Sequence, residues 1–377
     1  MNIGIDCQYL STNTPAGPEK YTINLIKALL QLDSVNDYIL YFKKAPSEEL
    51  KNDLTGSAPN VDIKVIDSGL SWTQCGLMRI LRKNPPDVYF TPFHTLPVLN
   101  TFAPLKISKT KWVSMIHGIE HVYEHKSFLK RFWQFFPLWY TIKFSDEIIV
   151  PSNHTKQKII DKGWRKDSKI IHVISEGVSE NFKEHPREET APVRQKYGLE
   201  SNPYVIFIST IQPRKNLPNL IAGFAEALKS SKVEPNTKLL IVGKKGWDYQ
   251  DSLDAPQKEE IEDNVVFAGR VPDEDLPKLL SGSSVFASVS FEEGFGLTLL
   301  EAMKAKVPLV LSKIPSHESL AEGCAVFVDP ASVSSIAQGL IRALISYPKE
   351  YIEEASTKVN QYSWKKTAQE TLKVFNN

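Results

Sequence analysis

Two doubly wound α/β domains are what this sequence predicts, and three observations carry the prediction. Short apolar, β-rich runs alternate with helical patterns along most of the chain, the arrangement that builds a parallel sheet flanked by helices. A stretch dense in Lys, Glu, Arg and Pro, 183–203, has no clear apolar period and reads as a linker that carries a short helix at Pro192–Tyr197. It leaves a first domain at 1–182, a second at 204–360 and a terminal helical segment at 361–377 expected to cross back to the first. The third observation is a strand–turn–helix unit at Val285–Lys306 whose glycines lie at the carboxyl end of a strand. Open α/β sheets bind their ligands there.

In the first half the strand candidates are Asn2–Asp6, Tyr38–Phe42, Val61–Ile66, Val88–Thr91, Trp112–Ile116, Glu147–Pro151 and Ile170–Ile174, with helices at Tyr21–Leu32 and His154–Lys162. Pro15-Ala-Gly-Pro-Glu-Lys-Tyr21 is a turn leading into the first helix. Pro92-Phe-His94 and Ile116-His-Gly118 each end a strand, so His94 and His117 stand on loops that face a ligand. A histidine there is a hydrogen-bonding or proton-handling group near neutral pH. His121-Val-Tyr-Glu-His125 places two histidines four apart, but the Glu does not directly follow the first, so no zinc site is proposed. Lys126–Phe144 is basic at its front and heavily aromatic. That pattern fits core packing or contact with an anionic membrane surface, with Pro137 expected to kink the helix.

In the second half Tyr204–Thr210 is a buried strand, followed by Ile211-Gln-Pro-Arg-Lys-Asn-Leu217 and a helix over Pro218–Lys229 with proline at its first position. Further strands are expected at Lys238–Gly243, Val265–Val271, Val285–Val289, Val307–Ser312 and Ala325–Val328, and a last helix at Trp364–Phe375. Asp273 and Asp275 read as acids opening a helix rather than as a metal-binding pair. Pro315-Ser-His-Glu318 reads as a loop, with Glu318 a site candidate.

The chemistry concentrates in Ser290-Phe-Glu-Glu-Gly-Phe-Gly-Leu-Thr-Leu-Leu-Glu301. Gly294 and Gly296, around Phe295, let the backbone bend and a ligand come close. The first amides of the helix opening at Leu297 and Thr298 have no intrahelical partner and carry the positive end of its dipole, which suits a diphosphate. Glu293 and Glu301 suit hydroxyls instead, since a carboxylate accepts hydrogen bonds from a diol. Lys215 and Arg214 bring cations to a second turn, where they would stabilise a phosphate leaving group. Two diol readers around one phosphate site point to a nucleotide-sugar, with one acid for the sugar and one for the ribose.

Composition sets the outer bounds. The net charge of +1 gives no basic field for nucleic acid. The odd, widely spaced Cys7, Cys75 and Cys324 offer neither a disulfide framework nor a zinc site and fit a reducing cytosol. No apolar run reaches the roughly 18 residues of a membrane span, and Met1–Asp6 lacks the basic region of a signal peptide. The expected location is the cytoplasm, peripheral at the inner face of the membrane if 126–144 makes that contact.

Glu293, seven intervening residues and Glu301, with Gly-Phe-Gly-Leu between, resemble the signature of the retaining glycosyltransferases of family 4, which have the GT-B fold. The resemblance runs over nearly the whole chain and is strongest in the second half. It implies two Rossmann-like domains facing a cleft, the first on the acceptor side and the second holding the nucleotide-sugar. It also implies a leaving phosphate that itself takes the acceptor's proton, with no cofactor, metal or covalent intermediate. His117 matches a histidine that faces the donor sugar, although Gly118 replaces the usual acid. Gly17 matches the first glycine of a phosphate-side loop, Glu19 replaces the second, and Lys20 and Tyr21 match the last pair. Lys215 matches the family lysine, whereas Thr210 stands where the family carries an arginine. Val271 would offer backbone groups to the base. Thr210-x-x-Pro-Arg-Lys-Asn216 is similar to bacterial mannosyltransferases and favours GDP-mannose, then UDP-sugars, as donor, with a cell-surface glycan or its lipid-linked precursor as acceptor. A second reading is a catalytically idle relative that binds a nucleotide-sugar or glycan; it draws on Thr210 and Glu19. A Rossmann oxidoreductase ranks far below, because no Gly-x-Gly-x-x-Gly follows any strand.

Overall fold

The computed structural model describes all residues except 11–16, 57, 69–70, 99–106, 108 and 120–127, and the side chains of 128–131. The chain divides into two compact units: Met1–Gly177 with Ser363–Asn377, and Val178–Tyr362. The stretch 183–203 is therefore no linker but part of the second unit. It carries the helix Arg187–Lys196, whose Val193 is buried, as is Leu199 just beyond it. Most of its charges lie on the outer face of that helix, and two apolar anchors are too few to give a visible period.

In the first unit β1 (Asn2–Asp6), β2 (Asp37–Phe42), β3 (Val61–Val65), β4 (Val88–Thr91), β5 (Lys111–Met115), β6 (Glu147–Val150) and β7 (Ile171–Val173) form one parallel sheet in the order β3-β2-β1-β4-β5-β6-β7. The order reverses between β1 and β4, where Ile3 pairs with Val88. The terminal helix Trp364–Asn376 packs on this unit. Ser363 caps it by accepting from the Lys366 amide, the Thr367 hydroxyl donates to the Ser175 carbonyl, and Phe375 lies against Phe90 at 5.5 Å. The helix Phe128–Phe144 runs through Pro137 and buries Leu138, Tyr140, Thr141 and Ile142, while Phe132 and Trp133 remain 47% and 67% exposed. No helix among the described residues is long and apolar enough to cross a membrane.

In the second unit β8 (Tyr204–Ile208), β9 (Lys238–Val242), β10 (Val265–Gly269), β11 (Val285–Ser288), β12 (Leu309–Ser312) and β13 (Val326–Val328) form a parallel sheet ordered β10-β9-β8-β11-β12-β13. Strand β8 shows why its sequence is apolar throughout. Val205 and Phe207 enter the core on one face and Tyr204 and Ile206 the core on the other, because helices cover both faces of a parallel sheet. Here the switch point lies between β8 and β11, and the loops leaving these two strands are the two that carry the cationic turn and the glycine turn. Gly243, just past β9, lies at φ +150°, where a Cβ would sit 1.8 Å from the Ser209 carbonyl oxygen. Only glycine lets the β9 loop pass beside the β8 loop. Pro315–Ala321, read from sequence as a loop, is a helix with proline in its first turn.

Phe375→Ala removes a buried ring from the first unit and should lower that unit's stability by about 3–4 kcal/mol. Every tryptophan but Trp247 lies in that unit, so the fluorescence midpoint in urea is the measurement. An unchanged midpoint would show that the returning helix contributes little.

Candidate functional site

The second unit's switch point gathers Lys215, Arg214 and Glu293 into one cluster. The strand β8 ends at Ile208, and Pro213–Lys215 then forms one 3₁₀ turn closed by Asn216 in the left-handed conformation, at φ +58°. Asn216 is buried, and its side-chain amide donates to the Val289 carbonyl at 3.0 Å and the Pro330 carbonyl at 2.7 Å. Those bonds fasten the β8 loop to the β11 loop. The Arg214 carbonyl accepts from the Phe291 amide at 2.9 Å, and Arg214 Nη1 donates to the Glu292 carbonyl at 2.6 Å.

Within this frame Lys215 Nζ donates to both carboxylate oxygens of Glu293, at 2.6 and 2.8 Å. Arg214 Nη1 reaches Oε2 at 3.1 Å, and the Ser290 hydroxyl donates to Oε1 at 2.6 Å. Each oxygen thus accepts two hydrogen bonds. Burial pushes the Glu293 carboxyl up, but the charges of Lys215 and Arg214, with His317 beyond them and the hydrogen bond from Lys215, together outweigh it and hold the group well below the ordinary carboxylate range. It is ionised at any physiological pH. His317, in the helix Pro315–Ala321, is buried with Nδ1 at 3.1 Å from both the hydroxyl and the carbonyl of Ser312. Burial holds its ring below the usual histidine range against the pull of Glu293.

Directly after the cluster Gly296 lies at φ +123° and opens the helix Leu297–Lys304 without a side-chain cap. Its place against Leu320 and the positive φ both call for glycine. Gly294 precedes it in the turn. Leu297 and Thr298 are the first two helical residues, half-buried, and present backbone amides rather than a capping side chain. Phe295 turns into the core and meets Tyr362 edge-on at 6.2 Å, so only its backbone faces the turn. Glu301 lies one turn further on and is buried. Thr210 is half-buried on the β8 loop, and Val271 is packed in the core just beyond β10. Asp275 accepts from Lys196 at 2.7 Å and from the Tyr197 hydroxyl at 2.8 Å, a structural tie of the helix it caps.

The first unit has a second polar cluster, on the loops leaving β4, β5 and β7. His117 Nδ1 lies 3.1 Å from Glu176 Oε1, and the His117 amide donates to His94 Nε2 at 2.9 Å. At the end of β1, Asp6 is buried and accepts from the Gln8 amide and side chain. Burial pushes its carboxyl up to about 7 in spite of those bonds. Gly17 is the exposed first residue of the helix Gly17–Leu32, with open space where a Cβ would stand. The His121–His125 pattern lies outside the described residues, as does the start of 126–144.

Two family models match, between them nearly the whole chain: Glycosyltransferase Family 4 over residues 15–182 and Glycosyl transferases group 1 over 190–362. The chain belongs to glycosyltransferase family 4. Among relatives of this glycosyltransferase, the O-antigen chain mannosyltransferase B of Escherichia coli is 31% identical over 189 residues, 50% of this chain and 49% of that one. The O-antigen chain mannosyltransferase RfbU of Salmonella typhimurium is 27% identical over 274 residues, 72% of this chain and 67% of that one. The chain spans about half the length of the first of these. Crystal structures of HepE from Anabaena, in complex with UDP and glucose, and of WaaG, a lipopolysaccharide glycosyltransferase, superpose with TM-scores of 0.77 and 0.75 at 19% and 15% identity. The first comparison covers 100% of this chain and 99% of the other, the second 100% of both. The fold is GT-B.

Ser290, Asn216, His317 and Glu176 were not singled out from sequence. Ser290 and Asn216 lie inside the two recognised motifs, so a search for partners of Glu293 and for the residue closing the cationic turn would have found them.

Glu293→Gln leaves Lys215 and Arg214 facing a neutral amide and should cost roughly 3 kcal/mol at pH 7, as for a broken buried pair. The unfolded carboxyl titrates near 4.3, above the depressed folded value. The stabilisation is therefore complete above about pH 5 and is lost as the pH falls through the folded value. Urea unfolding of both proteins across pH 3–7 should show a constant gap above pH 5 that narrows on further acidification; a gap that widens in acid would contradict the assignment.

Proposed function

We propose that this glycosyltransferase moves a hexosyl group, mannose before others, from a nucleoside diphosphate sugar to a glycan or lipid-linked glycan, with retention of configuration. The observation that carries the reading is the pair of cations held on one ionised carboxylate beside an uncapped, glycine-opened helix start. Cations and helix amides suit a diphosphate. When the donor arrives, Lys215 and Arg214 turn toward the phosphates, and Glu293 takes sugar hydroxyls in exchange. Gly294 to Thr298 give close backbone approach, Glu301 meets the ribose diol, and Thr210 and the Val271 backbone border the nucleotide. The bond from the sugar's anomeric carbon to the phosphate oxygen breaks, the acceptor oxygen bonds that carbon on the same face, and the departing phosphate takes the acceptor's proton. The scheme calls for no cofactor or metal. Charge building on the leaving oxygen is met by Lys215, Arg214 and the helix amides, which do not have to reorganise as it forms.

Support for mannose comes from the two O-antigen mannosyltransferases among the relatives above, and for a nucleotide-sugar from the UDP and glucose bound in the HepE structure. An idle relative would need no such cluster, and no observation favours it. The first unit contributes His117 as a group for substrate hydroxyls, and Gly17 borders the loop at its helix start. The exposed Phe132 and Trp133 support contact with an anionic membrane surface.

Product formation with GDP-mannose, other GDP-sugars and UDP-sugars on glycan acceptors is the test. Glu293→Gln and Lys215→Ala should each slow turnover by about 10²–10³-fold; near-wild-type rates in either would contradict the reading. Trp133→Ala should weaken sedimentation with anionic vesicles at low salt, and a wild-type protein that ignores such vesicles would end the membrane proposal.

A further inference from the structure

The first unit's histidine cluster shows a second level of organisation around His117. We propose that Glu176 and His94 are positioning residues that present His117 Nε2 as a fixed hydrogen-bond acceptor for a substrate hydroxyl. The inference rests on the reading of His117 given above and assigns it a tautomer and two supports.

The argument starts from donors and acceptors. An ionised carboxylate only accepts. At 3.1 Å from Glu176 Oε1, His117 Nδ1 is therefore the ring nitrogen that carries the proton. In a neutral imidazole the other nitrogen, Nε2, is then left with its lone pair. That atom is buried and has no hydrogen-bond partner among the described residues. A buried acceptor held in this way costs stability, and such a cost persists where function uses it. Tyr21 packs edge-on against the ring at 4.9 Å and limits its rotation.

The second support acts on the backbone. The His117 amide donates to His94 Nε2, so that nitrogen is an acceptor too and His94 carries its proton on Nδ1. His94 lies at φ +60°, a strained conformation for a residue with a Cβ. Buried Thr141 holds it there: its hydroxyl donates to the His94 carbonyl at 2.9 Å and accepts from the Leu96 amide at 3.1 Å. Strain at one histidine thus fixes the main chain of the other, while Glu176 fixes its ring. The charged and titratable groups facing His117 come from two loops and one helix: His94 after β4, Glu176 after β7, and Tyr21 across the ring. A carboxylate that sets a histidine's tautomer in this way supports it as an outer-shell partner supports a ligating histidine.

Nitrogen-15 NMR of histidine-labelled protein, with the His117 signals assigned by His117→Gln, reads the tautomer without any assay of transfer. The wild type should show His117 protonated at Nδ1, and Glu176→Ala should shift it toward Nε2. A wild-type His117 protonated at Nε2 would overturn the proposal. Kinetics then test what the positioning does. Glu176→Ala should lower kcat/KM about tenfold, the scale of one lost hydrogen bond. Glu176→Gln, whose amide oxygen still accepts from Nδ1–H, should restore it to within about threefold. In a His117→Ala background Glu176→Ala should cost nothing further, because it acts through His117. An equal loss in both backgrounds would overturn the proposal. Wild-type kcat/KM for His117→Ala alone would instead overturn the role given to His117, while the NMR result would still decide the tautomer.

Discussion

Everything proposed for the second unit depends on one carboxylate shared by two cations. Glu293 is buried enough to favour its neutral form, yet Lys215 and Arg214 keep it charged. Neither side of the cluster is stable alone: removing the acid leaves two half-buried cations, and removing the cations leaves an unpaired anion. The arrangement is useful because it is exchangeable. In the reaction proposed, a diphosphate offers the cations a stronger partner, and the carboxylate they release accepts from sugar hydroxyls. On the proposed reading the cluster holds the charges a nucleotide-sugar needs at the two loops that would meet it.

The fold supplies the geometry. In a parallel sheet all strand ends point one way, and at the switch point between β8 and β11 adjacent strands send their chains to opposite faces. The two loops that carry Lys215 and Glu293 part there, which is where open α/β sheets take their ligands. Asn216 prevents them from parting too far, by spanning to Val289 and Pro330. Gly243 lets a third loop pass close by, and Gly296 turns the chain into the helix that points its amides at the site.

Much of this was legible in the sequence, for physical reasons. Buried parallel strands must be apolar on both faces, so β1, β4, β8 and β11 read directly as strands. The glycine turn at Gly294–Gly296 and the acids at fixed spacing from it were visible because strand, turn and helix follow each other without interruption. Residues that meet across the sheet were harder. His317 joins the cluster from a helix after β12, and nothing in Pro315-Ser-His-Glu318 marks it; the exposed-looking Glu318 drew the attention instead. Glu176 approaches His117 over 59 residues of sequence. Of the helix Arg187–Lys196 only the end, at Pro192–Tyr197, is legible, because two apolar anchors, Val193 and Leu199, suffice to dock it when most of its surface is charged. Glu19, in place of a glycine in the family loop, begins a helix, where an acid is favourable.

The most direct measurement of the central claim is the calorimetric affinity of GDP against GMP, and of UDP against UMP, for the wild type and for Lys215→Ala. Within each pair the base and ribose are the same, so the gap reports the terminal phosphate alone. The account predicts a diphosphate at least about tenfold tighter than its monophosphate in the wild type, the worth of one charge-assisted contact, and a gap that largely closes in Lys215→Ala. A gap of the same size in both proteins would mean that Lys215 and the carboxylate it shares do not hold the diphosphate.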